Sequence, residues 1–253
     1  MVKVVSVAAV VLVMVVASLI IAGVRGRAPL LAKRALVFVV GWLVLTALIA
    51  ASGVLSDFEA RPPRMMLLLG LSLLVFALVT RGEAFAKLVH ATPTHWVVAL
   101  MSVRVPIELG LWALYREGRV PLHFTFEGRN FDVLVGLSAP FVAYAMARGI
   151  LSTRAVVLWN ILSLGLLANI VGMAVTTLPG PLQLSWPGPV PTIVTTWPFV
   201  WLPTFLVPVA LFGHVFSLRQ QLARRGRRRA GGEHDDRRKG NAGPRIVGRS
   251  ADA

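Results

Sequence analysis

Apolar residues along the chain come in long unbroken runs, and those runs do not alternate with polar positions. Seven stand out, at 4–24, 35–55, 65–80, 96–115, 133–147, 155–176 and 199–218. A helix rises about 1.5 Å per residue, so a run of ~20 apolar residues crosses a ~30 Å hydrocarbon layer. A transmembrane β-barrel would alternate apolar and polar side chains, and these segments do not. The pattern predicts an all-α fold, a polytopic membrane helical bundle of about seven transmembrane helices. The first run follows a single Lys3 and is longer than a signal-peptide core, with no small-x-small cleavage site after it, so it is expected to be a helix of the bundle.

The polar positions between the runs predict the orientation. Arg25, Arg27, Lys33 and Arg34 separate runs one and two, Arg81 and Lys87 separate three and four, and Arg148 and Arg154 flank the turn between five and six. Residues 219–253 hold 11 basic and 4 acidic residues. The alternate segments carry only Lys3, Arg61, Arg64, Arg116, Arg119 and Arg129, offset by Asp57, Glu59, Glu117, Glu127 and Asp132. The positive-inside bias therefore predicts an N-terminus outside and a C-terminus inside. It also accounts for the net charge of +15 without nucleic acid, which is not an expected partner. Arg outnumbers Lys 22 to 4, the usage of a GC-rich bacterial source.

Residues 1–218 are read as one transmembrane helical domain and 219–253 as a disordered, basic cytoplasmic tail that touches anionic lipid head groups. Two connecting segments differ from ordinary loops. Residues 81–95 are expected to form a short amphipathic helix on the inner surface. Residues 177–198 hold Pro179, Pro181, Pro187, Pro189, Pro191 and Pro198 with Trp186 and Trp197, and no charge. Such a stiffened, tryptophan-bearing loop suits the outer interface. No internal repeat supports an inverted-repeat transporter.

Two charges interrupt the fourth run. Arg104 and Glu108 lie one helical turn apart and so share a face where they can pair. A charge at the centre of a bilayer costs at least ~2.5 kcal/mol and is kept with a partner or a purpose. Pro106 between them frees a backbone carbonyl. The loop 116–132 that follows carries seven ionisable side chains, His123 included. In the sixth run, Asn169 shares a face with Gly165 and Gly172, small residues that permit close packing. Arg104, Glu108, Glu127, Arg129, Asn130 and Asn169 are expected to converge on one polar site in the outer half of the bundle. The competing reading is structural: an ion pair fixes the packing, Glu127 and Arg129 pin the loop, and Asn130 or Asp132 caps the fifth run.

Other chemistry finds little support. The chain has no cysteine, which removes disulfides, thiolate metal sites and cysteine nucleophiles. His90, His95 and His214 fall near one membrane level and form a weak haem or metal alternative, but His90 and His95 are five apart across Pro93, not at ligand spacing. No metal and no cofactor is expected. Lys3, Lys33, Lys87 and Lys239 all lie outside the seven runs, which excludes a retinal Schiff base. Phosphate loops and hydrolase motifs are missing, so an enzyme is not expected.

The stretch Phe126-Glu-Gly-Arg-Asn-Phe-Asp132, preceded by Arg104-Val-Pro-Ile-Glu108, resembles a family of uncharacterised bacterial multi-pass membrane proteins. The resemblance covers most of the runs but not the tail, implies a bacterial membrane protein and carries over no catalytic residues. The expected location is the bacterial cytoplasmic (inner) membrane. Two functions remain open. One is the handling of a small molecule, ion or lipid at the outer polar site. There Glu108 would accept a proton or bind a cation, Arg104 would set its charge, and Asn169 would hydrogen-bond the ligand. The other is a non-catalytic membrane subunit or assembly partner, docked to a further membrane protein, in which the charges only hold the bundle.

Overall fold

A computed structural model describes residues 2–60 and 62–223, with the side chains of residues 27 and 88–91 left aside. The basic segment from 224 onward lies outside the described residues. Those described form helices α1 (Val2–Arg27), α2 (Pro29–Ala51), α3 (Arg64–Arg81), α4 (Glu83–Ala91), α5 (Thr94–Leu100), α6 (Arg104–Arg116), α7 (Val133–Ala147) and α8 (Thr153–Thr177), then α9 (Leu202–Ala223). No strand occurs among them. Helices α5 and α6 join into one rod, Thr94–Arg116, and six helices, counting that rod as one, are long and apolar enough to cross a membrane. The seventh apolar helix, α7, has 15 residues. By length and composition the chain reads as a multi-pass membrane protein.

Prolines set many of the boundaries. Pro29 opens α2, where its missing N–H and fixed φ cost nothing. The helix therefore begins six residues before the apolar run, and Lys33, expected between the spans, lies in its second turn. Gly53 stops the chain beyond α2 with a φ of 73°, a conformation that favours glycine. Pro106 has no N–H for the Ser102 carbonyl, and the rod tightens to a 3-10 turn at Met101–Val103 just before it.

In α9, Leu202–Leu206 widens to a π turn. Pro208 offers no N–H to the Thr204 carbonyl, which instead accepts the Trp42 indole N–H at 2.9 Å. Trp201 reciprocates, donating to the Leu43 carbonyl at 3.0 Å. Two indoles thus clasp α2 to α9 through backbone groups.

The antiparallel path gives the bundle two unlike ends. At one, the loop end, segments 52–60, 62–63, 117–132 and 178–201 fold over the helices. Ser56 Oγ meets Thr195 Oγ1 at 3.2 Å, the Trp186 indole donates to Thr176 Oγ1 at 3.0 Å, and Gly188 packs against Pro121. The proline-rich segment is thereby part of the packed core, contributing Leu178 and Ile193 to it. At the opposite, basic end, α4 turns back as the expected short helix, with Phe85 edge-on to Phe216 at 5.7 Å. Gln220 holds the turn after α4, donating to the Thr92 carbonyl at 2.6 Å and receiving the Thr94 hydroxyl.

Helix α7 does not run the length of its neighbours. A Cβ at Gly136 would stand 2.8 Å from the Val105 backbone nitrogen, so the start of α7 lies level with the middle of the Thr94–Arg116 rod. Fifteen residues cover about 22 Å. Towards the loop end the remaining length is filled by the chain that descends from Glu117 to Asp132, irregular but for a 3-10 turn at Leu122–Phe124.

Candidate functional site

That descending loop delivers a carboxylate to the middle of the bundle. Asp132, at the head of α7, forms an ion pair with Arg104 through Oδ1 and Nη1. Arg104 is 2% exposed. Its Nη2 donates to His214 Nε2 at 3.1 Å. Arginine has no acceptor, so His214 Nε2 accepts and Nδ1 carries the hydrogen, which goes to Asn160 Oδ1 at 2.9 Å. The Asn160 amide then donates to the Val156 carbonyl at 2.8 Å and to Ser217 Oγ at 3.0 Å. The chain of bonds from Asp132 to Ser217 ties α6, α7, α8 and α9 together, and its direction is fixed at each step. Arg104 Nε is the one guanidinium nitrogen left without a partner.

Glu108 is also 2% exposed, but it does not bond to Arg104. Both its oxygens accept from Asn130 Nδ2, each at 2.7 Å. The same amide donates to the Phe124 carbonyl at 3.0 Å, and Asn130 Oδ1 accepts from the Asp132 backbone N–H at 3.2 Å. Asn130 therefore satisfies backbone groups of the loop on both sides of itself while joining them to α6. This matters because irregular backbone in an apolar interior must find partners within the protein.

Of the six residues expected at one polar site, Arg104, Glu108 and Asn130 come together. Glu127 stands apart, accepting from the Trp112 indole at 2.9 Å. Arg129 lies over the Trp186 ring, 5.5 Å from its centroid. Asn169 bonds only to the backbone of that residue, donating to the Arg129 carbonyl at 2.9 Å. Neither Arg104 nor Glu108 lines the apolar cleft at the basic end or the smaller pocket beside Trp186.

Among the described residues, the histidines do not assemble a metal set. Both ring nitrogens of His214 are engaged, His95 lies in the wall of the apolar cleft, and the His90 side chain lies outside the described residues. Among the described residues no three His, Cys, Asp or Glu groups cluster for a metal.

His123, in the loop 117–132, stacks on Trp186 with centroids 4.6 Å apart and shares a hydrogen with Thr177 Oγ1 at 3.0 Å. Because the Thr177 hydroxyl donates to the Met173 carbonyl, the imidazole donates to Thr177 and its buried Nδ1 has no partner. Burial, and then the positive Arg129, hold its pKa below the ordinary 6.5. The unfolded chain thus takes a proton as pH falls through about 6.5 and the folded one does not, so stability drops on acidification. Amide exchange in 178–190, corrected for intrinsic rate, is expected to quicken below pH ~6.5. In His123→Gln the pH dependence is expected to vanish.

A family model described as "Domain of unknown function (DUF8737)" matches residues 64–222. The chain belongs to this family. The DUF8737 segment runs from the start of α3 almost to the end of α9, so every residue of the buried network lies within it and α1 and α2 lie before it. No curated protein and no solved structure matches the chain.

Asn160 and Ser217 are the members of the network that the sequence left unassigned. Asp132 stood as a helix cap, and His214 as a weak metal alternative. The available signal was the excess of unpaired polar residues in apolar runs: Arg104, Asn160 and His214 each interrupt one.

Proposed function

We propose that this DUF8737 protein is a non-catalytic membrane subunit or assembly partner whose intramembrane charges are structural. It spans the bacterial cytoplasmic membrane seven times, N-terminus outside and C-terminus inside. The crossing beyond the six long helices is α7, fifth in chain order, completed by the last residues of the descending loop, from Asn130 to Asp132. Supporting the orientation, the basic end gathers Arg25, Lys33, Arg34, Arg81, Lys87, Arg148, Arg154 and Arg219, while the loop end balances its cations with carboxylates. The observation that carries the structural role is the use made of each polar side chain. Asn130 and Asn169 satisfy loop carbonyls, Asp132 neutralises Arg104, and Glu108 is buried against Asn130 alone. A ligand at this site would need an approach to Glu108, which lies in neither hollow.

Glu108→Gln tests the reading because the amide keeps the shape and an oxygen for Asn130. The expected result is a loss of about 1–3 kcal/mol in stability, with no growth or uptake defect once membrane levels are matched. A specific phenotype in a variant that stays as stable as the parent overturns the proposal and restores a working role to the carboxyl group.

A further inference from the structure

A large cleft opens at the basic end, and neither Arg104, Asp132, His214 nor Asn160 lines it. It encloses about 1420 Å³ between the α1–α2 hairpin and α3, α4, α5 and α9, above the ~300–1,000 Å³ common for small-molecule pockets. Its walls are apolar, lined by Leu19, Phe38, Phe76, Phe85, Ala99 and Phe212 among others. Interiors pack without voids much larger than a water molecule. An apolar cleft of this size is a poor place for water and suits an apolar occupant.

One charged side chain is described in the wall. Arg34, exposed in the second turn of α2, lines the cleft, and no hydrogen bond or ion pair holds it among the described residues. Thr80, Thr92 and His95 add the few polar groups nearby. Lys33, Arg81 and Lys87 follow at the same end. The long apolar volume beside an unpaired cation is complementary to an amphiphile with an apolar tail and an anionic head. An arginine stem lies along apolar surface while its head reaches phosphate at the interface.

We propose that this cleft is a lipid site, which holds the acyl chains of an anionic phospholipid with Arg34 paired to its phosphate. The site is separate from the Arg104–Asp132 network and rests only on the membrane placement. The α1–α2 hairpin, which precedes the DUF8737 segment, forms one wall.

Native mass spectrometry of the full-length protein in detergent, with phosphatidylglycerol, phosphatidylcholine or palmitate added, tests the assignment. One phosphatidylglycerol per chain is expected to survive activation, bound at least fivefold more tightly than phosphatidylcholine. Arg34→Gln is expected to remove that preference while leaving the lipid-free melting temperature unchanged. Ala99→Phe, which fills the cleft, is expected to abolish retention of both phospholipids. Equal binding of the two phospholipids by the parent and Arg34→Gln overturns the headgroup assignment. One-for-one displacement by palmitate makes the occupant a fatty acid and overturns the phospholipid. Lipid retained unchanged in a folded Ala99→Phe protein places it elsewhere on the surface. None of these outcomes depends on the result at Glu108.

Discussion

Arg104→Met is expected to destabilise the protein by about 3–5 kcal/mol, the cost of leaving one member of a buried ion pair alone. Asp132 would stay 6% exposed without its counter-charge, and His214 would lose the donor on Nε2. The loss has to be separated from the loss of arginine packing, because the side chain also fills volume between α6 and α9. Arg104→Met combined with Asp132→Asn does this. Removing both charges replaces an unpaired carboxylate by a neutral amide, and most of the lost stability is expected to return. Reversible unfolding in mixed micelles, followed by loss of helical circular dichroism, measures both. A single variant as stable as the parent would remove the ion pair from the account of the fold.

Asn130→Ala comes second, at about 2–5 kcal/mol, because one side chain serves four bonds. Its removal leaves the Glu108 carboxyl group, the Phe124 carbonyl and the Asp132 N–H in need of partners, each worth roughly 1–3 kcal/mol when buried. The damage is expected to be local before it is global. Protease nicking within 117–132 should appear while α1–α3 remain helical. Asn130→Asp separates the roles: it keeps an acceptor for the Asp132 N–H, yet sets a second carboxylate against Glu108. It is expected to be less stable than Asn130→Ala. If nicking of Asn130→Ala begins only when the whole bundle unfolds, the loop is held by something other than this amide.

Most of the helical architecture was legible in the sequence, because hydropathy reports whether a segment is apolar over a helix's length. The limits were local. The apolar run at 35–55 begins late because Lys33 and Arg34 mask the start of a helix that Pro29 nucleates. The site was legible in its central members, Arg104, Glu108 and Asn130, since charges and amides in apolar surroundings mark themselves. The pairing was not. A four-residue spacing put Arg104 and Glu108 on one face, but their partners came from another segment, Asp132 for one and Asn130 for the other. Nothing in the apolar pattern tells how deep a polar loop descends. The depth of 117–132 is set by Gly136, which lets α7 sit against Val105, and by where the chain's amides find carbonyls. Glu127, Arg129 and Asn169 shared the composition of the site without its depth.

The shortness of α7 bears on how the protein enters the bilayer during synthesis. A helix of 15 residues led by a carboxylate is a poor substrate for insertion on its own, since it neither spans the hydrocarbon nor arrives neutral. Arg104 emerges from the ribosome 28 residues before Asp132, on the helix that precedes it. If α7 crosses as proposed above, the two segments partition as one hairpin in which Arg104 meets Asp132, and the loop between them is drawn in rather than left at the surface. On this view the ion pair acts before there is a bundle to stabilise, as the condition for the fifth crossing to be made at all.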